Sequence, residues 1–406
     1  MDSEQLFDRF STEYTEWCET GKTPTVCDQD SAFLLEVQKE RLARKAVSMR
    51  CGIKPYPGEV KGFAGKGKRI CARQLYRTVE RDLEFSREGE SQFRLKNDQL
   101  MTQVVITDEH PDGLYDRPYQ CPNCGNVSDV RSLLDGCDYC GTRFLMDDLF
   151  PVVNDFRFDR FDSGETLEKR DRRIINRTRL ILFPILVLVY WLYFKADLPV
   201  ILFASLIGTW MAGWFFGRVA SIITSISISA KGNGEGSVSP KAWRTDKKIT
   251  DFLSKYDPDF QYDYFQGQLI SLLKICMMSE HPEEMCCYDA GDRPEWFSDV
   301  LDCMYCGHMI LNGAEEKDGM IILDLTAYFI FITDRDGQIS SEGRQIRFTA
   351  ERSATAPEDP NFTVHAVKCP TCGGSFDAAH RRRCPYCSSE YDLKEKDWVI
   401  VKMDLV

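Results

Sequence analysis

The chain has 406 residues, of which 43% are hydrophobic and 28% charged, and its formal net charge is −12 at pH 7. This length allows two or three domains with hydrophobic cores, and the hydrophobic content excludes a disordered chain. The acidic excess argues against a general nucleic-acid-binding protein, because binding phosphates requires a basic face. We expect no signal peptide, because acidic residues stand near the N-terminus in place of a basic and then apolar segment.

Residues 1–118 are predicted to form a mixed, mainly helical region. Residues 1–50 carry spaced apolar residues on a charged background, and residues 70–85 show a similar helical pattern. Two prolines and several glycines predict a loop over residues 51–68. Residues 100–107 are apolar enough to predict a strand.

A basic stretch in this region, Gly62-Phe-Ala-Gly-Lys-Gly-Lys68, is similar to a phosphate-binding loop. Arg69, however, stands where that motif requires Ser or Thr, and no apolar strand precedes it. We interpret the stretch as a flexible basic loop, with contact to anionic lipid headgroups as the alternative.

Eight cysteines form two matched sets of CxxC pairs. Eleven or twelve residues separate the two pairs of a set, which is the spacing of a four-thiolate zinc ribbon. The sets are Cys121, Cys124, Cys137 and Cys140, and Cys369, Cys372, Cys384 and Cys387. Four thiolates make a closed tetrahedral zinc site, so we expect two structural zinc ions. A thiol redox switch is the alternative. The first ribbon and the strand after it occupy residues 119–160.

Residues 178–217 are predicted to form a two-helix transmembrane hairpin. Residues 180–194 and 198–216 are apolar, and Lys195 and Asp197 lie between them. One helix across both would be about 55 Å long, against a hydrocarbon core of about 30 Å. A hairpin places both charges at the membrane surface, where Asp197 can cap the second helix. A single span followed by an interfacial helix is the alternative.

Basic residues flank both ends of this segment, with Arg173 and Arg177 before it and Arg218 and Lys231 after it. Positive flanks remain on the cytoplasmic side, where thiolates also stay reduced. We therefore expect an integral, multi-pass protein of the cell inner (cytoplasmic) membrane with both termini in the cytoplasm. A flexible linker is predicted at residues 231–242, which are rich in glycine and serine.

Small residues in the second apolar stretch predict close helix packing. Ala204, Gly208 and Ala212 recur every four residues, and Gly213 and Gly217 form a GxxxG motif. We interpret the pattern as packing of the two hairpin helices on each other, with homodimerisation as the alternative.

Residues 247–406 are predicted to form an α+β domain with helices on one face of a curved antiparallel sheet. An apolar stripe of helical spacing covers residues 259–278, and Asp336-Gly337 marks a hairpin turn. The second zinc ribbon, at residues 368–390, is inserted before the last strand. Strands are predicted at residues 319–333, 344–352, 362–368 and 398–404.

The remaining candidate residues show no catalytic arrangement. Cys286, Cys287, Cys303 and Cys306 include another CxxC, but the two ends of a CxxC on a strand point to opposite faces, which opposes chelation. We interpret these four as buried cysteines. The five histidines are scattered, with no metalloprotease or triad spacing. Asp324, Thr326 and Tyr328 share one strand face, which is predicted to be solvated and, as the alternative, to line a polar pocket.

Residues 247–406 resemble the Tim44-like family. The similarity lies in Asp257-Pro-Asp-Phe260 before the long helix, Asp324-Leu-Thr-Ala-Tyr328 in a central strand, and Asp397-Trp-Val-Ile-Val401 at the end. The resemblance implies a cone of helices on a curved sheet, similar to nuclear transport factor 2, with a large apolar cavity. Bacterial membrane-anchored members also carry the inserted ribbon. The two ribbons suggest a weak internal repeat, which we do not extend to the whole fold.

The resemblance implies a membrane-associated binding or tethering role, which in mitochondrial members involves anionic lipid and import-motor partners. This chain has an apolar hairpin in place of their basic amphipathic segment, so we expect tethering of a protein, peptide or lipid without the import motor. One alternative is an enzyme that uses the pocket of the cone, with Asp324 or Tyr328 as acid or base. Another is nucleic-acid binding through the zinc ribbons and the basic stretch between Arg41 and Arg94.

Overall fold

The structure is a computed structural model of the chain, and the part of the chain that it describes falls into two compact units. One unit consists of Met1–Arg160 and Pro240–Val406, and the other is Phe161–Ser239. The described residues are 3–57, 59–64, 72–108, 114–121, 123–160, 164–194, 199–201, 203–206, 208–210, 212, 245–258, 260–356, 364–365 and 367–406.

The N-terminal half of the larger unit begins with two helices and continues as a sheet with a small insertion. The helices are α1 (Ser3–Thr20) and α2 (Gln29–Arg44). The sheet strands are β1 (Ser48–Pro55), β2 (Lys61–Ala64), β3 (Ala72–Arg87), β4 (Glu90–Ile106) and β7 (Val152–Arg160). The insertion, ribbon 1, spans residues 118–144 and holds β5 (Pro118–Gln120), β6 (Val127–Asp129) and α3 (Val130–Asp135). A short helix, α4 (Met146–Leu149), leads from ribbon 1 into β7.

The strands of this half form an antiparallel sheet in the order β1-β3-β4-β7, with β2 beside β3. The helix predicted over residues 70–85 is wrong, because those described residues belong to β3. Leu75, Val79 and Leu83 are all buried, and a spacing of four fits one face of a strand as well as one face of a helix. The loop predicted over residues 51–68 likewise contains parts of β1 and β2. The strand predicted at residues 100–107 is confirmed and belongs to the longer β4.

The C-terminal half of this unit repeats the order of helices, strands and ribbon. The chain forms α7 (Thr245–Leu253), α8 (Tyr262–Met278), β8 (Val300–Lys317), β9 (Met320–Arg335), β10 (Gln338–Ser353), β11 (Val367–Lys368), β12 (Ser375–Phe376) and β13 (Val399–Leu405). The main sheet has the antiparallel order β8-β9-β10-β13. Ribbon 2, residues 367–391, contains β11 and β12 and lies before the last strand. The predicted strands in β9, β10 and β13 and the turn at Asp336-Gly337 are confirmed.

The internal repeat therefore extends over the whole fold. In each half, two helices precede three strands of the main sheet path, which are β1, β3 and β4 or β8, β9 and β10. A ribbon follows the last of these three strands, and a further strand, β7 or β13, returns beside that last strand. The short β2, which pairs with β3, is an addition in the first half. The sequence predicted a repeat of the ribbons alone, because β1 and β3 were read as loop and helix. The α+β class with antiparallel sheets and two cysteine ribbons is confirmed.

The two halves share one hydrophobic core. A single buried cluster contains Phe10 and Leu83 from the first half together with Leu273 and Phe329 from the second. Helix α2 packs on α8 and on the neighbouring edge strands β7 and β8. In the second half, packed side chains fill the apolar face of the sheet, and the cavity beside α8 measures only about 70 Å³.

Buried polar side chains also join the halves. Arg41 of α2 is 1% exposed and donates from Nε to the Glu280 carboxylate at 2.7 Å. Its guanidinium also donates to the carbonyl oxygens of Ser279, at 3.3 Å, and Val300, at 3.2 Å. Because buried carbonyl groups and a buried charge need partners, Arg41 ties the end of α8 and the start of β8 to α2.

Further buried contacts cross between the halves. Arg81 of β3 is 1% exposed and bonds Asp302 of β8 at 3.2 Å. The Gln38 side-chain amide donates to the Leu301 carbonyl oxygen at 3.1 Å. These contacts join both β3 and α2 to the first residues of β8, so the second half is fixed to the first at several points.

The smaller unit contains α5 (Gly164–Phe194) and a shorter apolar helix, α6 (Pro199–Trp210). Within the described residues, one helix is long and apolar enough to cross a membrane. Its most apolar part, Ile175–Leu192, has a mean hydropathy of 1.5, and none of these residues is buried. A Cβ atom on Gly208 of α6 would lie 3.4 Å from side-chain atoms of Leu186 and Tyr190 in α5. Gly208 of α6 therefore lies against α5.

Three predictions for this region fall outside the described residues. They are the hairpin turn at residues 195–197, the GxxxG motif at residues 213–217 and the linker at residues 231–242. Most of the basic loop, residues 65–71, also lies outside them.

Replacing Arg41 with alanine is expected to lower the free energy of unfolding by about 3–5 kcal/mol, because Glu280 and the carbonyl groups lose a buried partner. The control is Arg44→Ala, since Arg44 bonds the other Glu280 oxygen at 2.7 Å but is 51% exposed. That change is expected to cost about 1 kcal/mol or less. Urea denaturation followed by tryptophan fluorescence measures both, and equal losses would contradict the role given to Arg41.

Candidate metal centres and the cleft between the ribbons

The eight predicted ligands lie in two clusters of four, each built from a pair of matching turns. In ribbon 1, the Cys121 amide donates to the Asn126 carbonyl at 2.7 Å and the Gly125 amide to the Cys121 carbonyl at 2.9 Å. The turn at Cys137 repeats this pattern, with the Gly141 amide donating to the Cys137 carbonyl at 2.8 Å. Each turn therefore presents the two sulfur atoms of one CxxC on the same side.

Ribbon 2 contains the same two turns. The Gly373 amide donates to the Cys369 carbonyl at 2.9 Å, and the Ser388 amide donates to the Cys384 carbonyl at 2.8 Å. The residue after the second cysteine has a positive φ in all four turns, which is 73° at Gly373 and 59° at Ser388. Glycine reaches this left-handed conformation without strain, whereas serine does not.

The sulfur atoms are spaced as a tetrahedral metal site requires. Across ribbon 1 they are 3.7 Å apart for Cys121 and Cys140 and for Cys124 and Cys137. Across ribbon 2 they are 3.5 and 3.6 Å apart. A metal about 2.3 Å from four sulfurs places them about 3.8 Å apart, whereas a disulfide would bring two sulfurs to about 2.05 Å. Both clusters are thus geometrically suited to bind a metal ion.

The local electrostatics of the two clusters also match. The hydrogen bond between the Thr142 hydroxyl and Cys140 Sγ lowers the pKa of Cys140 to about 6. The Ser389 hydroxyl beside Cys387 lowers the pKa of that thiol to about 6. A depressed thiol pKa favours the thiolate form that a metal binds. The serine and threonine therefore prepare one ligand in each cluster.

The other cysteines do not form a ligand group in the part of the chain that the structure describes. Cys303 and Cys306 lie three residues apart in β8, as the strand interpretation predicted. Burial raises the pKa of Cys303 to about 12, and burial likewise raises the pKa of Cys286 to about 12. Both thiols are therefore protonated at neutral pH, which makes them poor nucleophiles.

Asp324 is held in an ion pair rather than poised for acid or base chemistry. Its two carboxylate oxygens accept from Arg347 Nε at 3.0 Å and Nη2 at 2.5 Å. The hydrogen bonds from Arg347 lower the pKa of Asp324, whereas a general acid at neutral pH needs a raised pKa. Tyr328 is half-buried, and burial raises its pKa.

A cleft of about 800 Å³, here called the inter-ribbon cleft, lies between ribbon 1, ribbon 2 and α2. A hydrogen bond of 3.1 Å from the Gln29 amide to the Gln120 side-chain oxygen joins α2 to ribbon 1 at its edge. Its lining includes Phe33 and Glu36 of α2, Gln120 and Asn126 of ribbon 1, and Phe376, Asp377, His380 and Tyr386 of ribbon 2. Both ribbons that carry a cysteine cluster thus form walls of one cleft.

Sequence reasoning missed one group at this cleft. His365, Asp377 and His380 bring their ligand atoms within 4.8 Å of one another. Twelve and three residues separate them along the chain, so no local motif marks them. The folding of ribbon 2 brings them together, since the Ala378 amide donates to the Val364 carbonyl at 2.9 Å beside β11 and β12.

Comparisons of this chain with protein-family models, with curated proteins and with solved structures found no match.

Replacing Cys384 with serine is expected to remove one of the two thiolate-bound metals, because a closed site needs all four ligands. Cobalt substitution provides the measurement, since thiolate-to-metal charge-transfer absorption should fall by half. Cys306→Ser is the control and should leave that absorption unchanged. Full charge-transfer absorption in the Cys384 variant would contradict the assignment of ligands in ribbon 2.

Gly373→Ala is expected to lower the stability of ribbon 2 by about 1–2 kcal/mol, because alanine is strained at this positive φ. The added Cβ would meet no atom within 4 Å, so a steric clash makes no contribution. Ser388→Gly, at the equivalent position, is expected to raise the stability of ribbon 2, because it relieves the same strain. Competition with a chelator measures both as a change in the rate of metal release from ribbon 2. The account fails if both variants release metal faster than the wild type.

Proposed function

We propose that this chain is a membrane-anchored, zinc-stabilised binding module that holds an extended segment of a partner protein in the inter-ribbon cleft. The observation that carries the proposal is the cleft itself. Ribbon 1, ribbon 2 and α2 form its walls, and the two candidate metal sites would make the ribbons rigid. Its volume of about 800 Å³ lies within the range of about 300–1,000 Å³ that is usual for ligand sites.

Zinc is the metal that we propose for both clusters. Four thiolates with tetrahedral spacing favour Zn²⁺ over hard cations such as Mg²⁺ and Ca²⁺, which take oxygen ligands. Four protein ligands leave no open position, so the two ions stabilise the ribbons and take no part in a reaction. They require reduced cysteines, which supports a cytoplasmic location.

A two-helix hairpin is the membrane anchor that fits best. The chain before the apolar segment and the chain after it share one core, so both must lie on the same side of a membrane. A single crossing would separate Arg81 from Asp302 and Arg41 from Glu280. The contact of Gly208 with α5 supports antiparallel packing of α5 and α6. The proposed location is the cytoplasmic face of the inner membrane, with both termini on that face.

The lining of the cleft favours a peptide over a lipid chain. Side-chain amides of Gln29, Gln120 and Asn126, which bond one another and ribbon 1 in this structure, can exchange those bonds for the backbone groups of an extended segment. Tyr386, which is 70% exposed, offers aromatic surface to its side chains. An acyl chain would instead need an apolar lining. A peptide occupant agrees with the tethering role that the resemblance to the Tim44-like family implies.

Site-specific photocrosslinking in intact membranes tests the occupant. A photoreactive amino acid at Tyr386, which lines the cleft and is 70% exposed, is expected to form protein adducts. The control is Tyr139, the equivalent and 80% exposed tyrosine of ribbon 1, which is not part of the cleft lining. Ala32→Trp, a change that fills the cleft from α2, is expected to abolish the adducts at residue 386. Lipid adducts alone, or equal yields at residues 139 and 386, would contradict the proposal.

Topology reporters test the anchor separately. Reporters fused before Met1 and after Val406 are expected to lie on the same, cytoplasmic face, because the halves share a core. Placement of the two termini on opposite faces would contradict the hairpin.

A further inference from the structure

We propose that His365, Asp377 and His380 form a third metal site, open to the inter-ribbon cleft and specific for a divalent late first-row transition metal such as Zn²⁺. This proposal goes beyond the two cysteine clusters, and it does not depend on which partner occupies the cleft.

Two of the three donor pairs already have the separation that a metal imposes, and all three donors lie within 4.8 Å of one another. Asp377 Oδ2 lies 3.1 Å from His365 Nδ1 and 2.9 Å from His380 Nδ1. A metal about 2.1 Å from each donor places neighbouring donors about 3.0 Å apart in octahedral geometry and about 3.4 Å apart in tetrahedral geometry. An ion can therefore replace the protons that Asp377 shares with the two imidazoles, which lie within 4.8 Å of each other before the ion draws them together.

Other contacts orient the ligands. The Ala379 amide donates to Asp377 Oδ1 at 2.8 Å, which leaves Oδ2 for the imidazoles. On the far side of its ring, His365 Nε2 lies 3.3 Å from Asp30 Oδ1 of α2. A carboxylate behind a ligating histidine is the usual way in which proteins hold such a ring and raise its basicity.

The internal repeat supplies a comparison within the same chain. Counting from the cysteines, the positions of His365, Asp377 and His380 correspond to Arg117, Asp129 and Ser132 in ribbon 1. Asp129 Oδ1 accepts from the Ser132 amide at 2.7 Å, so the aspartate supports a turn in both ribbons. That structural role needs no imidazole, and the two histidines are a feature of ribbon 2 alone.

The site differs in kind from the cysteine clusters. Two imidazoles and one carboxylate suit Zn²⁺, Fe²⁺ or Ni²⁺, whereas Mg²⁺ and Ca²⁺ prefer oxygen donors throughout. Three protein ligands leave at least one coordination position for water or for a ligand with an anionic oxygen. His380 and Asp377 line the cleft, and the His380 side chain is 50% exposed, so an ion can enter from solvent.

Metal counting on the intact, detergent-solubilised protein tests the proposal. After dialysis against a weak chelator, the protein is titrated with Zn²⁺ and examined by native mass spectrometry. The wild type is expected to bind three ions, and His380→Ala is expected to bind two. His281→Ala is the control, because that ring is 72% exposed and lies outside the group, and it should bind three. Retention of two ions shows that a variant has folded.

Two further measurements separate this site from adventitious binding. Asp30→Asn is expected to weaken the third ion about 10–100-fold while leaving the other two in place. With Co²⁺, the third equivalent should add ligand-field absorption without thiolate charge transfer. A wild type that saturates at two ions, or a His380→Ala variant that binds as many as the wild type, would overturn the proposal.

Discussion

The shared core of the two halves is the constraint on which the rest of the structure depends. The chain leaves the first half at Arg160, passes through an apolar segment, and returns to complete the same body. Arg41 and Arg81 are almost fully buried. Arg41 bonds groups of the second half, and Arg81, which also bonds Tyr14 and Cys51 of its own half, finds its carboxylate partner Asp302 there. Because an unpaired buried charge is costly, neither half is expected to keep this conformation without the other. The apolar segment is thus an insertion into one folded unit.

The repeat and the metals explain how this unit forms a cleft. Each half ends in a ribbon inserted before its last strand, and the two ribbons with α2 enclose the inter-ribbon cleft. Small domains bury little apolar surface, and a metal bound by four thiolates would add rigidity to each ribbon. In the proposed function, the cysteine clusters fix the walls against which a ligand or a third metal would bind.

Sequence reasoning succeeded where one short motif determines a structure. All eight cysteines cluster as predicted, and the Asp336-Gly337 turn lies between β9 and β10, because CxxC turns and Asp-Gly hairpins are local. It failed at β3, where Leu75, Val79 and Leu83 fit a helix and a strand equally well and only the pairing with β4 decides. This misassignment, together with the loop predicted over part of β1, hid the repeat of the whole fold.

The group of His365, Asp377 and His380 could not be predicted from the sequence either. Their spacing matches no motif, and Asp30, which orients His365, lies more than three hundred residues away. The folding of ribbon 2 brings the three residues together, and its packing on α2 adds Asp30. The one clue available without coordinates is the comparison of the ribbons, in which the histidines replace Arg117 and Ser132.

Cleavage of the chain between the halves tests the central claim most directly. A protease site inserted between residues 231 and 240 can be cut in the purified protein, and gel filtration then reports whether the pieces separate. A shared core predicts that the fragment ending near residue 231 and the fragment ending at Val406 elute together and part only in denaturant. Separation under native conditions would contradict the single folded unit, and with it the cleft and the hairpin.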